Sequence, residues 1–231
     1  MPHPRSRRPR NHRWSRRYGL PVTRLSEIQD HERSALVDDL RGLTPEQWRS
    51  PTLCGAWDVE DVVAHLGAAS RLSTWGWIRS IVGARFDADV HNQRRLDEFR
   101  GATPTATLER FADVGTIALP SKESPAALGE VIVHAEDVRR PLGLRHAPDA
   151  EGLLAVARFF AAKDFAVNSR SLVKGLRLTA NDADFQAGAG PEVGGPLLAL
   201  VMAMAGRAAA LEDLVGDGVG ELSRRMADRS R

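Results

Sequence analysis

Hydrophobic residues recur every three or four positions over most of the chain, with charged residues between them, as is typical of amphipathic helices. The first such segment begins at Arg24, and Gly42 and Pro45 end it. The same spacing predicts three further helices, over about 59–82, 104–118 and 125–140. Because four helices with short or medium connections favour an up-and-down bundle, we predict one over residues 24–145.

The pattern changes in the last third of the chain. A helix is predicted over 150–168, but residues 176–179 alternate between apolar and polar, and a turn signal follows at 181–182. These features predict a short β-hairpin. After it we predict a loop and then a helix, over 188–196 and 197–214. The sequence thus predicts a mainly α protein, in which the bundle is followed by a small α+β C-terminal domain over 146–231.

Charge separates the N-terminus from the rest of the chain. The 231 residues hold 32 basic and 30 acidic side chains, for a net charge of +2. Residues 1–17 contain seven arginines and no acid, so 25 basic and 30 acidic residues remain outside them, a net of −5. We predict that residues 1–23 form a disordered basic tail, with an arm that attracts RNA or a membrane as the alternative. Nucleic acid is not an expected partner of the mildly acidic remainder.

Other sequence features limit the location and the class of protein. The chain has one cysteine, Cys54, and lacks an apolar run of about 18 residues, so it predicts neither a disulfide nor a membrane span. No apolar segment follows the basic N-terminus as it would in a secretory signal, and we predict a cytoplasmic protein. Neither a phosphate-binding GxxxxGK[ST] loop nor a GxSxG elbow is present, which argues against nucleotide-driven and serine-hydrolase chemistry.

The predicted helix over 125–140 carries the candidate chemistry. Apolar residues occupy nearly every direction around it, so it is expected to be buried on most sides. Glu130, His134 and Asp137 nevertheless form one stripe at helical spacing. A buried carboxylate is costly unless a cation or hydrogen bonds satisfy it, and a metal ion would do so.

His65 is the natural third ligand, because it lies on the predicted inward side of its helix. Two histidines and one carboxylate leave a coordination position open, as in catalytic zinc sites, although the same set also suits non-haem Fe(II). The alternative is a hydrogen-bonded core histidine at position 65 and a simple pair between Glu130 and His134.

Two blocks of sequence resemble the mycothiol-dependent maleylpyruvate isomerase family, a branch of the DinB-like metal-binding four-helix bundles. The first block reads PEQW at 45–48, PTLCGAWDV at 51–59 and DVVAHL at 61–66, and the second reads GEVIVHAEDVRRPLG at 129–143. The resemblance implies a divalent metal, usually zinc, held by His65, Glu130 and His134. It also implies mycothiol, a low-molecular-weight thiol, as cosubstrate.

The resemblance further implies a metal- and mycothiol-dependent enzyme, which adds a thiolate to an electrophilic small molecule and so performs cis–trans isomerisation or S-transfer. Arg207 is the candidate for the arginine that the family's second domain supplies; its alternative role is to cap helix-terminal carbonyls. Asp137 is expected to orient His134 or to contact the thiol, and Arg140 to bind an anionic group. Alternatively, Asp137 simply pairs with Arg140.

A second reading is a non-catalytic metal-binding DinB-like protein with a binding or stress-related role. Cys54 is not expected to act as a nucleophile, because the sequence shows no lysine or adjacent histidine to activate it. Trp57 is expected to pack the loop that precedes the helix of His65.

Overall fold

The computed structural model describes residues 22–70, 96–117, 121, 123–165 and 167–229. The principal elements are α1 (Val22–Arg41), α2 (Val59–Ser70), α3 (Pro104–Asp113), α4 (Pro125–Leu142), α5 (Ala150–Ala162), α6 (Ser169–Val173), β1 (Arg177–Ala180), β2 (Gln186–Gly188), β3 (Glu192–Gly195), α7 (Leu197–Met204) and α8 (Val219–Arg229). Short 3₁₀ helices lie at Gln47–Arg49 and Ala208–Asp213. The predicted order of a helical part followed by a small α+β part is confirmed.

The first four helices form the predicted bundle, in which α1 and α2 each pack against α3 and α4. A reciprocal cap begins α2: the Asp58 carboxylate accepts from the Asp61 N–H at 2.9 Å, and the Asp61 carboxylate accepts from the Asp58 N–H at 3.2 Å. The predicted extension of α2 to residue 82 lies outside the described residues. α3 ends at Asp113, before the predicted residue 118, because Val114 is extended and both it and Gly115 have low helix propensity.

The C-terminal part required corrections to the prediction. The hairpin of β1 and β2 is confirmed, with Leu178 opposite Ala187. The predicted loop over 188–196 contains β3, which pairs parallel to β1 and places Val193 beside Leu178. The glycines around Val193 have low β propensity, so the sequence does not predict this strand. The strand forms because it pairs with β1.

Two predicted helices are shorter than expected. α5 ends at Ala162, and the extended backbone of Lys163 follows. α7 ends at Met204, because Gly206 adopts a φ of +86° and closes a Schellman cap, in which the Arg207 N–H donates to the Met202 carbonyl.

α4 is buried between two hydrophobic clusters, as its apolar pattern predicts. Ala127 and Val131 join the cluster inside the bundle, whereas Leu128 and Ile132 join the cluster formed with α5 and the C-terminal elements. α5 accordingly packs against both α4 and α7. The division into domains at residues 145 and 146 stays a prediction.

The predicted basic tail falls mainly on residues 1–21, which lie outside the described part, whereas Val22 and Thr23 begin α1. None of the described helices is long and apolar enough to cross a membrane.

Candidate metal centre

His65 on α2 and the Glu130–His134 pair on α4 converge on one point. The Nε2 atom of His65 lies 3.0 Å from Oε1 of Glu130, and the Nε2 atom of His134 lies 3.4 Å from the same oxygen. One ligand atom from each of the three residues lies within 4.8 Å of the other two. The stripe seen on the predicted helix and the inward histidine of its neighbour are therefore brought together.

The spacing of these atoms fits a metal ion. Zinc bonds of about 2.0–2.1 Å place tetrahedral ligand atoms about 3.3–3.4 Å apart. The distances of 3.0 and 3.4 Å from the Glu130 oxygen to the two histidine nitrogens are close to this value. The rings of His65 and His134 lie close together, with centroids 4.9 Å apart and planes inclined by 69°.

Contacts within the site shift the pKa values of Glu130 and His134 in opposite directions. Burial alone would raise the pKa of Glu130, but hydrogen bonds with His134 and His65 hold that pKa well below its usual value. Burial alone would lower the pKa of His134, but its bonds to Asp137, Cys54 and Glu130 raise that pKa well above the usual value. The site therefore holds an ionised carboxylate that attracts positive charge.

Asp137 fixes the orientation of His134. Its side chain is fully buried, and its Oδ2 atom lies 2.9 Å from Nδ1 of His134. An ionised carboxylate only accepts hydrogen bonds, so Nδ1 donates to Asp137. When Nε2 gives up its proton, as it would on binding a metal ion, its lone pair lies on the atom that faces Glu130. Burial would raise the pKa of Asp137, but Arg207 and His134 outweigh it and lower that pKa.

Arg207 holds Asp137 with two parallel hydrogen bonds, from Nε to Oδ1 at 2.9 Å and from Nη2 to Oδ2 at 2.7 Å. The predicted capping role is also present, because Nη1 donates to the Ala205 carbonyl at 2.8 Å. The Schellman cap at Gly206 makes both possible by turning the chain back toward α4 directly after α7.

Arg140 lies elsewhere. It pairs with Asp213 at 2.5 Å and with Glu212 at 3.7 Å, both in the C-terminal part. The alternative in which Asp137 simply pairs with Arg140 is wrong, since Arg207 takes that place. The structure does not bring Arg140 to the three converging ligands, and its binding role stays a prediction.

Pro141 of α4 allows the loop before α2 to hydrogen-bond to the backbone of Asp137. Pro141 has no N–H to offer the Asp137 carbonyl one turn earlier, and the Leu53 N–H donates to that carbonyl instead, at 3.1 Å. The following residue, Cys54, has its Sγ 3.8 Å from Nη2 of Arg207. Cys54, His134 and Asp137 form a second group that could hold a metal, although Arg207 already engages both oxygens of Asp137.

The sequence pattern did not reveal these surroundings of Cys54, because His134 and Arg207 are distant in sequence. It also missed the contact of Trp57 with the centre: the Trp57 ring lies 4.9 Å from the His65 ring and 6.4 Å from the His134 ring, centroid to centroid. The tryptophan therefore covers one side of the histidine pair.

A cleft of about 410 Å³, including the part open to solvent, lies beside two of the three ligands. Glu130 and His134 line it from α4, and Arg207 lines it from the segment after α7. The remaining described lining comes from α4, α5, the connection after α5, the start of α6 and the residue after α7: Ala126, Gly129, Val133, Phe160, Phe165, Val167, Ser169 and Ala205.

Comparisons with known proteins agree with this architecture. Residues 30–119 match the family model described as the mycothiol maleylpyruvate isomerase N-terminal domain. This segment contains His65 and ends before α4. No curated protein matches significantly in sequence.

The fold is similar to two crystal structures of the mycothiol-dependent maleylpyruvate isomerase, one of them a histidine-to-alanine mutant. Each has a TM-score of 0.56 and 14% sequence identity, and each alignment covers 86% of this chain and 93% of the other.

Proposed function

Because residues 30–119 match the model of the mycothiol maleylpyruvate isomerase N-terminal domain, we propose that the chain belongs to this family and is a metal- and mycothiol-dependent enzyme that adds a thiolate to an electrophilic small molecule. The observation that carries the proposal is the convergence of His65, Glu130 and His134 within 4.8 Å beside a cleft. A small-molecule substrate and a cytoplasmic location are part of the proposal.

The three converging residues would hold the metal, and zinc is the expected ion for two imidazoles and one carboxylate. A divalent cation in this place favours the thiolate form of a bound thiol, since its charge stabilises the anion. Three protein ligands leave room for that sulfur.

Other residues of the chain would prepare the site. Asp137 keeps the Nε2 lone pair of His134 directed at the centre, and Arg207 keeps Asp137 ionised and in place. We therefore assign Asp137 as a positioning residue. Arg207 lines the cleft and has one N–H of Nη1 beyond its described bonds, which makes it the candidate contact for a substrate oxygen.

Isomerisation and S-transfer share their first step, in which the thiolate sulfur bonds to an electrophilic carbon. In isomerisation the double bond becomes a single bond, rotates, and is restored when the thiolate leaves. In S-transfer the sulfur–carbon bond is kept: either a leaving group departs from that carbon with its bonding pair, or, after addition to a double bond, the neighbouring carbanion takes a proton from water. The cleft walls serve both reactions by excluding water from the carbon under attack.

Metal analysis of purified variants tests the ligand set. We expect the wild-type protein to bind one metal ion per chain, and His65→Ala and His134→Ala to fall well below this ratio while their helical circular dichroism is retained. The matched control is His31→Ala, an exposed histidine of α1 outside the centre. Full metal content in either ligand variant would contradict the assignment.

Measurements of stability and of turnover in the presence of mycothiol test whether this thiol is the cosubstrate. Mycothiol at 100 times its dissociation constant should stabilise the metal-loaded protein by about 2.7 kcal/mol. Stoichiometric metal without mycothiol binding would instead support the non-catalytic metal-binding alternative.

A further inference from the structure

The walls of the cleft beside the centre are apolar where they lie away from the ligands. The Phe160 ring packs directly on Gly129, where an added Cβ would come within 3.0 Å of the ring. Phe165 and Val167 extend this surface from the connection after α5, and Val133 extends it along α4. The absence of a side chain at Gly129 therefore lets an aromatic wall reach the residue next to Glu130.

Charges in the cleft are already matched within the protein. Among the described lining residues, Glu130 is the carboxylate, Arg207 is the guanidinium, and His134 is an imidazole held between the carboxylates of Glu130 and Asp137. The positive charge of Arg207 is opposed by the buried Asp137, which it contacts with two hydrogen bonds. Lys163 has its Nζ 5.9 Å from the centroid of the Phe165 ring, but its side chain is exposed and outside the described lining. The described lining itself thus offers no unopposed cation for the second carboxylate of a dicarboxylic substrate such as maleylpyruvate.

We propose that the electrophile taken by this site is an apolar molecule with at most one carboxylate, which places a planar unsaturated or aromatic group against Phe160 and Phe165. This inference rests on the proposed function, because it names the substrate class of the same site. Flat aromatic groups gain from edge or offset contacts with phenylalanine rings as well as from their burial.

Cinnamate and fumarate are matched probes for this preference. Both contain a trans acrylate carboxylate, and they differ in carrying a phenyl group or a second carboxylate at the other end. Any contact of the shared carboxylate with the metal or Arg207 cancels in the comparison. We expect calorimetric titration of the zinc-loaded full chain to show cinnamate binding at least about tenfold more tightly than fumarate.

Two variants test whether the ratio of the cinnamate and fumarate affinities depends on the residues that line the cleft. Phe165→Ala should reduce the preference for cinnamate about tenfold, with unchanged zinc content, because the aromatic wall is lost. Phe185→Ala is the control, since it removes a phenylalanine ring from the hydrophobic core at a residue that is not among the described lining of the cleft. Val167→Arg should shift the ratio toward fumarate, because it adds an unopposed cation to the lining.

Fumarate binding as tightly as cinnamate, or a ratio that Phe165→Ala and Val167→Arg leave unchanged, would overturn the inference. Zinc content and mycothiol binding are measured separately on the same samples. A protein that prefers cinnamate but binds no mycothiol would refute the proposed function and support the apolar cleft.

Discussion

Replacing Asp137 with asparagine separates two roles that one buried carboxylate holds in this protein. Asp137 orients the ring of His134 and at the same time neutralises Arg207, whose side chain is only 14% exposed. Asparagine keeps the shape of the side chain and removes its charge. The change should therefore affect both metal binding and the free energy of unfolding.

The two effects have different sizes. Removing one partner of a buried ion pair costs about 3–5 kcal/mol, because the remaining charge is left without compensation. Loss of the carboxylate behind a metal-binding histidine lowers metal affinity by about 10–100-fold. Asp137→Asn should thus lower the free energy of unfolding by about 3 kcal/mol or more and weaken zinc binding by one to two orders of magnitude.

A second substitution distinguishes the effects. Asp137→Asn combined with Arg207→Met leaves no uncompensated charge, so a large part of the lost stability should return. Zinc affinity should remain low in the double variant, since no carboxylate orients His134. Arg207→Met alone should also destabilise the protein, because Asp137 then remains buried beside His134 without its guanidinium partner.

Denaturant unfolding of the metal-free proteins measures the stability, and competition with a chelator measures zinc affinity. Asp213→Asn is the control: it removes the partner of Arg140, and that surface pair contributes at most about 1 kcal/mol. The reasoning is refuted if Asp137→Asn retains wild-type zinc affinity, or if the double variant is no more stable than Asp137→Asn.

Two further predictions concern α4 and the turn after α7. Burial raises the pKa of Glu136 to about 7 against an opposing effect of Arg139. Because the folded pKa exceeds the unfolded one, this group's contribution to stability is present at acidic pH and is lost as pH rises from about 4.5 through 7. Glu136→Gln should therefore gain about 3 kcal/mol relative to wild type between pH 4 and pH 9 in denaturant unfolding, and a pH-independent difference would contradict this assignment. Gly206→Ala should cost about 1–2 kcal/mol at its left-handed φ and weaken zinc binding by displacing Arg207. Gly175→Ala, at φ +78° before β1, should show a similar cost in unfolding with unchanged chelator competition; equal zinc affinity in the two glycine variants would contradict the role of the turn.

The ligands of the centre could be predicted from the sequence, in part from helical spacing and in part from the resemblance to a known family. Helical spacing alone places Glu130, His134 and Asp137 on one stripe, and the apolar residues around them imply the burial that the structure shows. The approach of His65 depends on the packing of α2 against α4, which spacing within one helix does not determine. The resemblance of the two sequence blocks to the family is what implied that His65 joins Glu130 and His134.

The remaining contacts depend on backbone geometry between distant segments. The helix predicted over 197–214 would have carried Arg207 along its axis, whereas the αL turn at Gly206 directs it to Asp137. A glycine within an apolar run was the available signal, since glycine is the common residue after a helix end. The strand β3 escaped prediction because its pairing with β1 is a tertiary contact.

Asp137 joins three parts of the chain that are distant in sequence. Its carbonyl, left free by Pro141, accepts from Leu53 in the loop before α2, and its carboxylate contacts His134 and Arg207. The family model ends at residue 119, so α4 and the arginine that stabilises Asp137 both lie beyond the matched segment. The helical bundle supplies the three converging ligands, but the orientation of one of them depends on the C-terminal part. Arg207, after α7, therefore contributes to the geometry of the centre through Asp137.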